Sequence, residues 1–405
     1  MRDPLCQHSV GSDGASNSDV LFDVVNGVGI VTLNRPRKLN SLTHAMVLEI
    51  TRQLSAWKTH PDIVAVLLRG SGEKGFCAGG DIKALYESYV SGTADYQRFF
   101  IDEYRLDFAI HRYPKPVVAL MDGIVMGGGM GLSQGAHLRL VTHRSKIAMP
   151  ETGIGLVPDV GASWFLSKMP VEMSLYLGMT GSTIGGADAV LCGLADAIVD
   201  VAVVDDVVPH LAAIQWQGDP LGDLKRAFIP TQALGTEAAP ALLQNLPQIV
   251  RHFNAERSLA DIMERLQADG GSWEEQTLRT LRSRSPLMTE VTREMLRRGR
   301  RLDLAACFQM ELNVACHAFT DGDFIEGVRA LIIDKDSAPR WRVTDASSVA
   351  STTVDAFFAN LWGSQGNHPL GGLGTEHLQS LPATTGSDAD AEHPPRSSTF
   401  SLSLL

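Results

Sequence analysis

Two carboxylates, Glu151 and Asp159, stand in the segment MPETGIGLVPDVG that spans residues 149 to 161. Just upstream, MGGGMG at 126 to 131 sets four glycines in six residues, and a second glycine loop, FCAGGD, occupies 76 to 81. A carboxyl group can serve as base, acid or nucleophile at a carbonyl. Glycine lets bare backbone N–H groups approach an oxygen that is gaining charge. Acids and glycine loops together are the parts needed for acyl chemistry through an oxyanion. Each part also has a plain structural use. Glu151 after Pro150 can cap a helix, Asp159 after Pro158 can open a turn, and glycine runs can be tight turns.

The elements that would carry these residues follow from periodicity. VLFDVV and GIVTLN alternate around Asn26-Gly27, the dipeptide favoured by a type I′ hairpin. A helix follows Ser41, with Met46, Ile50, Leu54 and Trp57 on one face. IVAVLLRG and VVALMDG read as buried strands, each leading into a glycine-rich loop and then helix-compatible sequence. Alternation of this kind to about residue 200 marks an α/β unit. From about 205 to 345 the pattern is helical. Ser285-Pro286 supplies an N-cap and a first-turn proline for LMTEVTREMLRRGRR, and LDLAACFQMELNVACHAF is a second apolar helix. The expected division is a leader at 1–19, a core at 20–204, a helical region at 205–345 and a disordered tail at 363–405.

A chain of 405 residues exceeds what one core usually fills. With 46 acidic and 35 basic residues its net charge is −11, which argues against a general nucleic-acid or anionic-membrane binder. Five scattered cysteines without a C-x-x-C pair suit a reducing compartment better than a disulfide framework or zinc site. No apolar run has the length of a membrane span. The first residues have neither a signal-peptide core nor an Arg-rich transit pattern, so the cytoplasm is expected, or the mitochondrial matrix in a eukaryote.

Other motifs invite other chemistry. GSGEKG at 70 to 75, with Asp95 downstream, matches a dinucleotide fingerprint, yet FCAGG follows where a helix should open. GLSQG at 131 to 135 matches a serine-hydrolase elbow, which requires a strand running straight into Ser133. Cys77 has no evident base beside it. Arg293, Arg297, Arg298, Arg300 and Arg301 form either a solvated helix face or an anchor for phosphates. The twelve histidines show no metal-ligand spacing.

The segments NRPRKLNSL, KGFCAGGDI, KPVVALMDGIVMGGGMGL, AMPETGIGLVPDVG and DFIEGVRALIIDKDSAPRW resemble, in this order, the crotonase (enoyl-CoA hydratase/isomerase) superfamily. The resemblance covers roughly residues 20 to 345. It implies a spiral of ββα units followed by a helical region, coenzyme A thioesters as ligands, and no cofactor beyond the coenzyme A of the substrate. It also implies self-association, with the oligomeric state left open. Carried over residue by residue, the N–H groups of Gly80 and Gly128 would form an oxyanion hole, Gly128 would also touch substrate, and Glu103 would contact it too. Hydratases of the family carry a second Glu two residues after the glycine triplet, where this chain has Gly131. They usually have a small residue where this chain has Asp159. That exchange resembles the branch that hydrolyses β-hydroxyacyl-CoA thioesters in valine breakdown, with Glu151 and Asp159 catalytic. A hydratase or isomerase of the same fold, a serine esterase using Ser133, and a non-enzymatic thioester-binding protein are the competing expectations.

Overall fold

The computed structural model describes residues 18–229, 240–363 and 367–375. Strands β1 (Val20–Val25) and β2 (Val28–Leu33) form an antiparallel hairpin with Val25 opposite Val28. At its tip Asn26 and Gly27 have φ of 50° and 78°, both positive as a type I′ turn demands. From β2 a parallel ladder runs through β3 (Ala65–Gly70), β5 (Val117–Met121), β7 (Leu138–Val141) and β9 (Ala197–Ile198). A second, smaller parallel sheet holds β4 (Gly75–Cys77), β6 (Ile124–Met126) and β8 (Lys146–Ala148).

The chain therefore steps from large sheet to small sheet three times, and after each step a helix follows. Helices α1 (His44–Thr59), α2 (Ile82–Val90), α3 (Asp95–His111), α4 (Gly128–Gln134) and α5 (Ala162–Phe165) line this path. This is the expected spiral of ββα turns. Its functional consequence is topological. Because β4, β6 and β8 are parallel neighbours, the loops leaving their C-terminal ends converge on one place.

Strand β5 is buried on both faces, as expected of a central parallel strand. Val117, Ala119 and Met121 face the main core, while Val118 and Leu120 face a second cluster. That second cluster corrects the expected division at residue 204. Helices Val201–Asp205, Val207–Ala212 and Pro220–Phe228 cover the outer face of the large sheet through Val204, Val207, Leu211, Leu224 and Phe228. They complete the spiral core instead of opening the helical region. Helix Pro286–Gly299 starts as expected, with Ser285 Oγ accepting the Met288 N–H at 3.0 Å.

The expected disordered tail is corrected in part. Leu370 is buried, its carbonyl accepts Gln309 Nε2 at 3.1 Å, and Arg105 donates to the Pro369 carbonyl at 3.0 Å. One apolar side chain with two backbone acceptors suffices to tie this short segment to the helices. At the other end, Ser18 and Asp19 join the sheet edge, where Asn34 N–H donates to Asp19 O at 2.8 Å. The remainder of the expected leader and tail, residues 1–17, 364–366 and 376–405, lies outside the described residues.

Candidate active site

Three loops meet at the C-terminal ends of β4, β6 and β8: Ala78–Gly80, Gly127–Gly128 and Pro150–Glu151. Leu42 pins the first, accepting Asp81 N–H and donating to Gly79 O, both at 2.8 Å. This fixes the Gly79–Gly80 peptide so that the Gly80 N–H faces away from that ladder. Gly79 has φ of 103° and Gly127 φ of 50°, conformations that admit glycine cheaply. A Cβ on Gly79 would stand 3.4 Å from the Gly128 nitrogen, so the two loops are in contact. Among the described residues neither the Gly80 nor the Gly128 N–H is donated to a protein acceptor. Two unspent donors on facing loops meet the requirement for holding an oxyanion.

The acids lie around a cleft of about 230 Å³. Glu103, Glu151 and Asp159 all line it, so every residue carried over by resemblance converges there. Apart from Arg284 its other side chains are apolar, with Leu85, Phe99, Phe100, Leu156 and Phe324 among them. Glu151 opens a short 3-10 helix, Glu151–Ile154, directly after β8. It is buried, with Oε2 unpartnered among the described residues. Asp159 is buried too, and Tyr104 Oη donates to its Oδ2 at 2.6 Å.

Crowding acids out of water decides which of them holds a charge. Burial raises Glu151 well above the usual carboxylate range, and Asp159 adds to the rise, while its own backbone N–H and Arg284 oppose it. Burial, then the charges of Asp159 and Glu151, raise Glu103 in the same way. Asp159 is pushed up only to about 6, because the Tyr104 hydroxyl and a backbone N–H offset its burial. Of the three acids Asp159 is therefore the one whose charged form is least disfavoured, while Glu151 and Glu103 are biased toward their protonated forms.

Several participants were missed by sequence reading. Tyr104 and Asp107 share helix α3 with Glu103. Asp107 is fully buried with neither oxygen partnered among the described residues, and burial followed by the charge of Glu103 raises its pKa well above the ordinary carboxylate range. It fills the space over Gly131, where an added Cβ would collide with its Oδ2 and stand 2.8 Å from the Val160 Cβ. Glu311, from helix Leu304–Thr320, reaches the turn after Asp159. Burial pushes it up to about 8 against three donors that pull it down. Arg284 lines the cleft and donates Nε and Nη2 to Thr180 O at 2.9 and 2.7 Å. The one available signal was the i, i+4 spacing of Glu103 and Asp107 on a helix. Contacts across 50 or more residues leave no local trace.

The competing motifs are not assembled. Ser133 lies inside α4, buried, with Oγ on Met130 O at 3.1 Å, so no strand runs into it. GSGEKG links β3 to β4 with no helix opening inside it, and Asp95 pairs with Arg98 at 3.2 Å. The Cys77 thiol is pushed up to about 12, chiefly by burial. Arg293, Arg297 and Arg298 pair with Glu290 or Glu294 at 2.7 Å, and Arg300 donates to Met169 O. None of the five arginines of that run, Arg301 included, lines the cleft. A different cationic surface adjoins the cleft: an open recess lined by Lys38, Lys83, Lys335 and Leu331–Ile333, which shares Leu331 with it. Among the described residues no cluster of three or more His, Cys, Asp or Glu is arranged to hold a metal, and no helix is long and apolar enough to cross a membrane.

Gly131→Glu, which restores the acid found in hydratases, is expected to cost about 1–3 kcal/mol through overpacking against Asp107 and Val160. A lowered melting temperature without new hydration of crotonyl-CoA is the expected result. Wild-type stability with hydratase activity would contradict the packing at 131.

A family model described as enoyl-CoA hydratase/isomerase matches residues 28–358. The 3-hydroxyisobutyryl-CoA hydrolase, mitochondrial, of Gallus gallus is 36% identical over 366 residues, covering 90% of this chain and 92% of that protein. A carnitinyl-CoA dehydratase structure from Mycobacterium thermoresistibile aligns with a TM-score of 0.79 and 38% identity, over 86% of this chain and 98% of that one. An enoyl-CoA hydratase structure from Rhodobacter sphaeroides 2.4.1 aligns at 0.76 and 39%, over 85% and 98%.

Proposed function

The chain belongs to the enoyl-CoA hydratase/isomerase family, and on that premise we propose that it hydrolyses a β-hydroxyacyl-CoA thioester, 3-hydroxyisobutyryl-CoA foremost. One observation carries the choice of hydrolysis over hydration. The cleft holds Asp159 beside Glu151, while position 131 has no room for an acid because Asp107 fills it. The hydrolases similar to this chain support the same reading, and it sets valine breakdown as the context.

In this reading the thioester carbonyl sits between the Gly80 and Gly128 N–H groups, which take up the charge of the tetrahedral intermediate. One such donor is worth about 3 kcal/mol of transition-state stabilisation. Asp159, the acid that stays ionised, removes a proton from water as it attacks. The carbon–sulfur bond then breaks, and Glu151 gives its proton to the departing thiolate. A covalent route, in which Glu151 attacks to form an anhydride, needs that proton to pass to Asp159 first. Single turnover in heavy-oxygen water separates the two, since label enters Glu151 only by the anhydride. Glu103, buried and biased toward its protonated form, offers a donor to the β-hydroxyl of the acyl group. The cationic recess with Lys38, Lys83 and Lys335 suits the phosphates of coenzyme A. The chemistry draws on no separate cofactor.

Four buried thiols, Cys77, Cys192, Cys307 and Cys316, support a reducing compartment, cytoplasm or mitochondrial matrix. Self-association completes the proposal on family grounds alone.

The test is thiol release over a panel of acyl-CoA esters. 3-Hydroxyisobutyryl-CoA is expected to be the best substrate, and Ser133→Ala is expected to keep at least half the wild-type rate. Hydration of crotonyl-CoA with no free thiol from any ester would replace the hydrolase with a hydratase. An inactive, folded Ser133→Ala would restore the esterase alternative.

A further inference from the structure

The turn that presents Asp159 is built from unfavourable backbone. Val160, β-branched, has φ of 54°, and Gly161 follows at 89°. A β-branched residue in the left-handed region persists only when its surroundings impose it. Tyr104 Oη holds the front of the turn through Asp159 Oδ2. Behind it stands Glu311, fully buried. Its Oε2 accepts the Gly161 N–H at 2.6 Å, and its Oε1 accepts the Ser163 N–H at 2.7 Å and the Ser163 hydroxyl at 2.5 Å. From the same helix, the Phe308 ring lies 3.1 Å from where a Cβ on Gly161 would be.

We infer that Glu311 is a positioning residue for the reaction: its carboxyl group clamps the turn from Gly161 to Ser163 and so holds Asp159 in line with the attacking water. The inference rests on the hydrolase reading, with Asp159 as base. Glu311 lies on helix Leu304–Thr320, some 150 residues from the turn it holds. The helical region thereby becomes part of the catalytic apparatus, not merely a cover for the spiral. Without the clamp, two buried N–H groups lose their acceptor and Val160 is free to relax to ordinary backbone. Relaxation there rotates Asp159 off the Tyr104 hydroxyl, and misplacement by about 1 Å is enough to cost about 100-fold in rate.

The experiment measures kcat, KM, the pH profile and the melting curve of Glu311→Gln and Ser163→Ala, with Asp159→Asn alongside. Glutamine keeps the size but turns one acceptor into a donor facing an N–H. Glu311→Gln is expected to lower kcat by about 100-fold, with KM within about threefold. The acid limb of kcat should move to higher pH, because Asp159 loses a hydrogen bond that favours its charged form. Ser163→Ala removes one donor of three and should shift both quantities the same way, by a smaller amount, with the fold intact. An unmoved acid limb overturns the inference, whether read on folded Glu311→Gln or, if that variant does not fold, on Ser163→Ala. It would mean that any loss of rate reflects lost folded protein alone. If Asp159→Asn releases CoA at the wild-type rate, Asp159 is not the base and the clamp falls with that role, whereas thiol release from no ester would sink the hydrolase reading itself.

Discussion

Glu151→Gln is expected to reduce CoA release by about three to four orders of magnitude without unfolding the protein. Both routes for hydrolysis need the carboxyl group of Glu151, as proton donor to the thiolate or as the attacking nucleophile, and an amide supplies neither. The cost to folding should be small. Glu151 is buried, its Oε2 has no partner among the described residues, and its charged form is disfavoured. A neutral group of the same shape takes the place of a carboxyl group that already favours its neutral form, and leaves the packing alone. Thiol release measured beside a thermal melt decides the matter. A variant with wild-type melting and a rate within tenfold of normal would remove Glu151 from the chemistry.

Asp159→Asn should cost about two to four orders of magnitude, and it should also erase a feature of the pH profile. Asp159 titrates near 6, so its basic form prevails above that pH and is lost below it. Wild-type kcat is therefore expected to fall about tenfold per pH unit below 6 and to level off above. The residual rate of the asparagine variant should lack this limb. Asparagine still offers an oxygen to Tyr104, so the turn keeps its anchor and the comparison isolates the proton transfer. A limb that survives in Asp159→Asn would assign the titration to another group.

Much of this was legible along the chain. Asn26-Gly27 announced its turn because both positions need positive φ. The buried face of α1 followed from Met46, Ile50, Leu54 and Trp57, and Ser285-Pro286 marked a helix start. These are local rules, in which a residue acts on neighbours a few positions away. Strands β4, β6 and β8 were harder to see, since three residues are too few to display a period. Helices Val201–Asp205 to Pro220–Phe228 read as the start of a new region because apolar periodicity tells that a face is buried, not against what.

The site divides in the same way. Residue types singled out Glu151, Asp159 and the glycine loops, and the family resemblance added Gly80, Gly128 and Glu103 as candidates and marked Gly131 as the place where hydratases carry an acid. Only the tertiary structure decided that Asp107 fills the space above Gly131, that Tyr104 sets Asp159 apart from its neighbouring acids, and that Glu311 holds the turn between them. Acidity depends on burial and on charges brought near by packing, and packing joins residues that the chain keeps far apart.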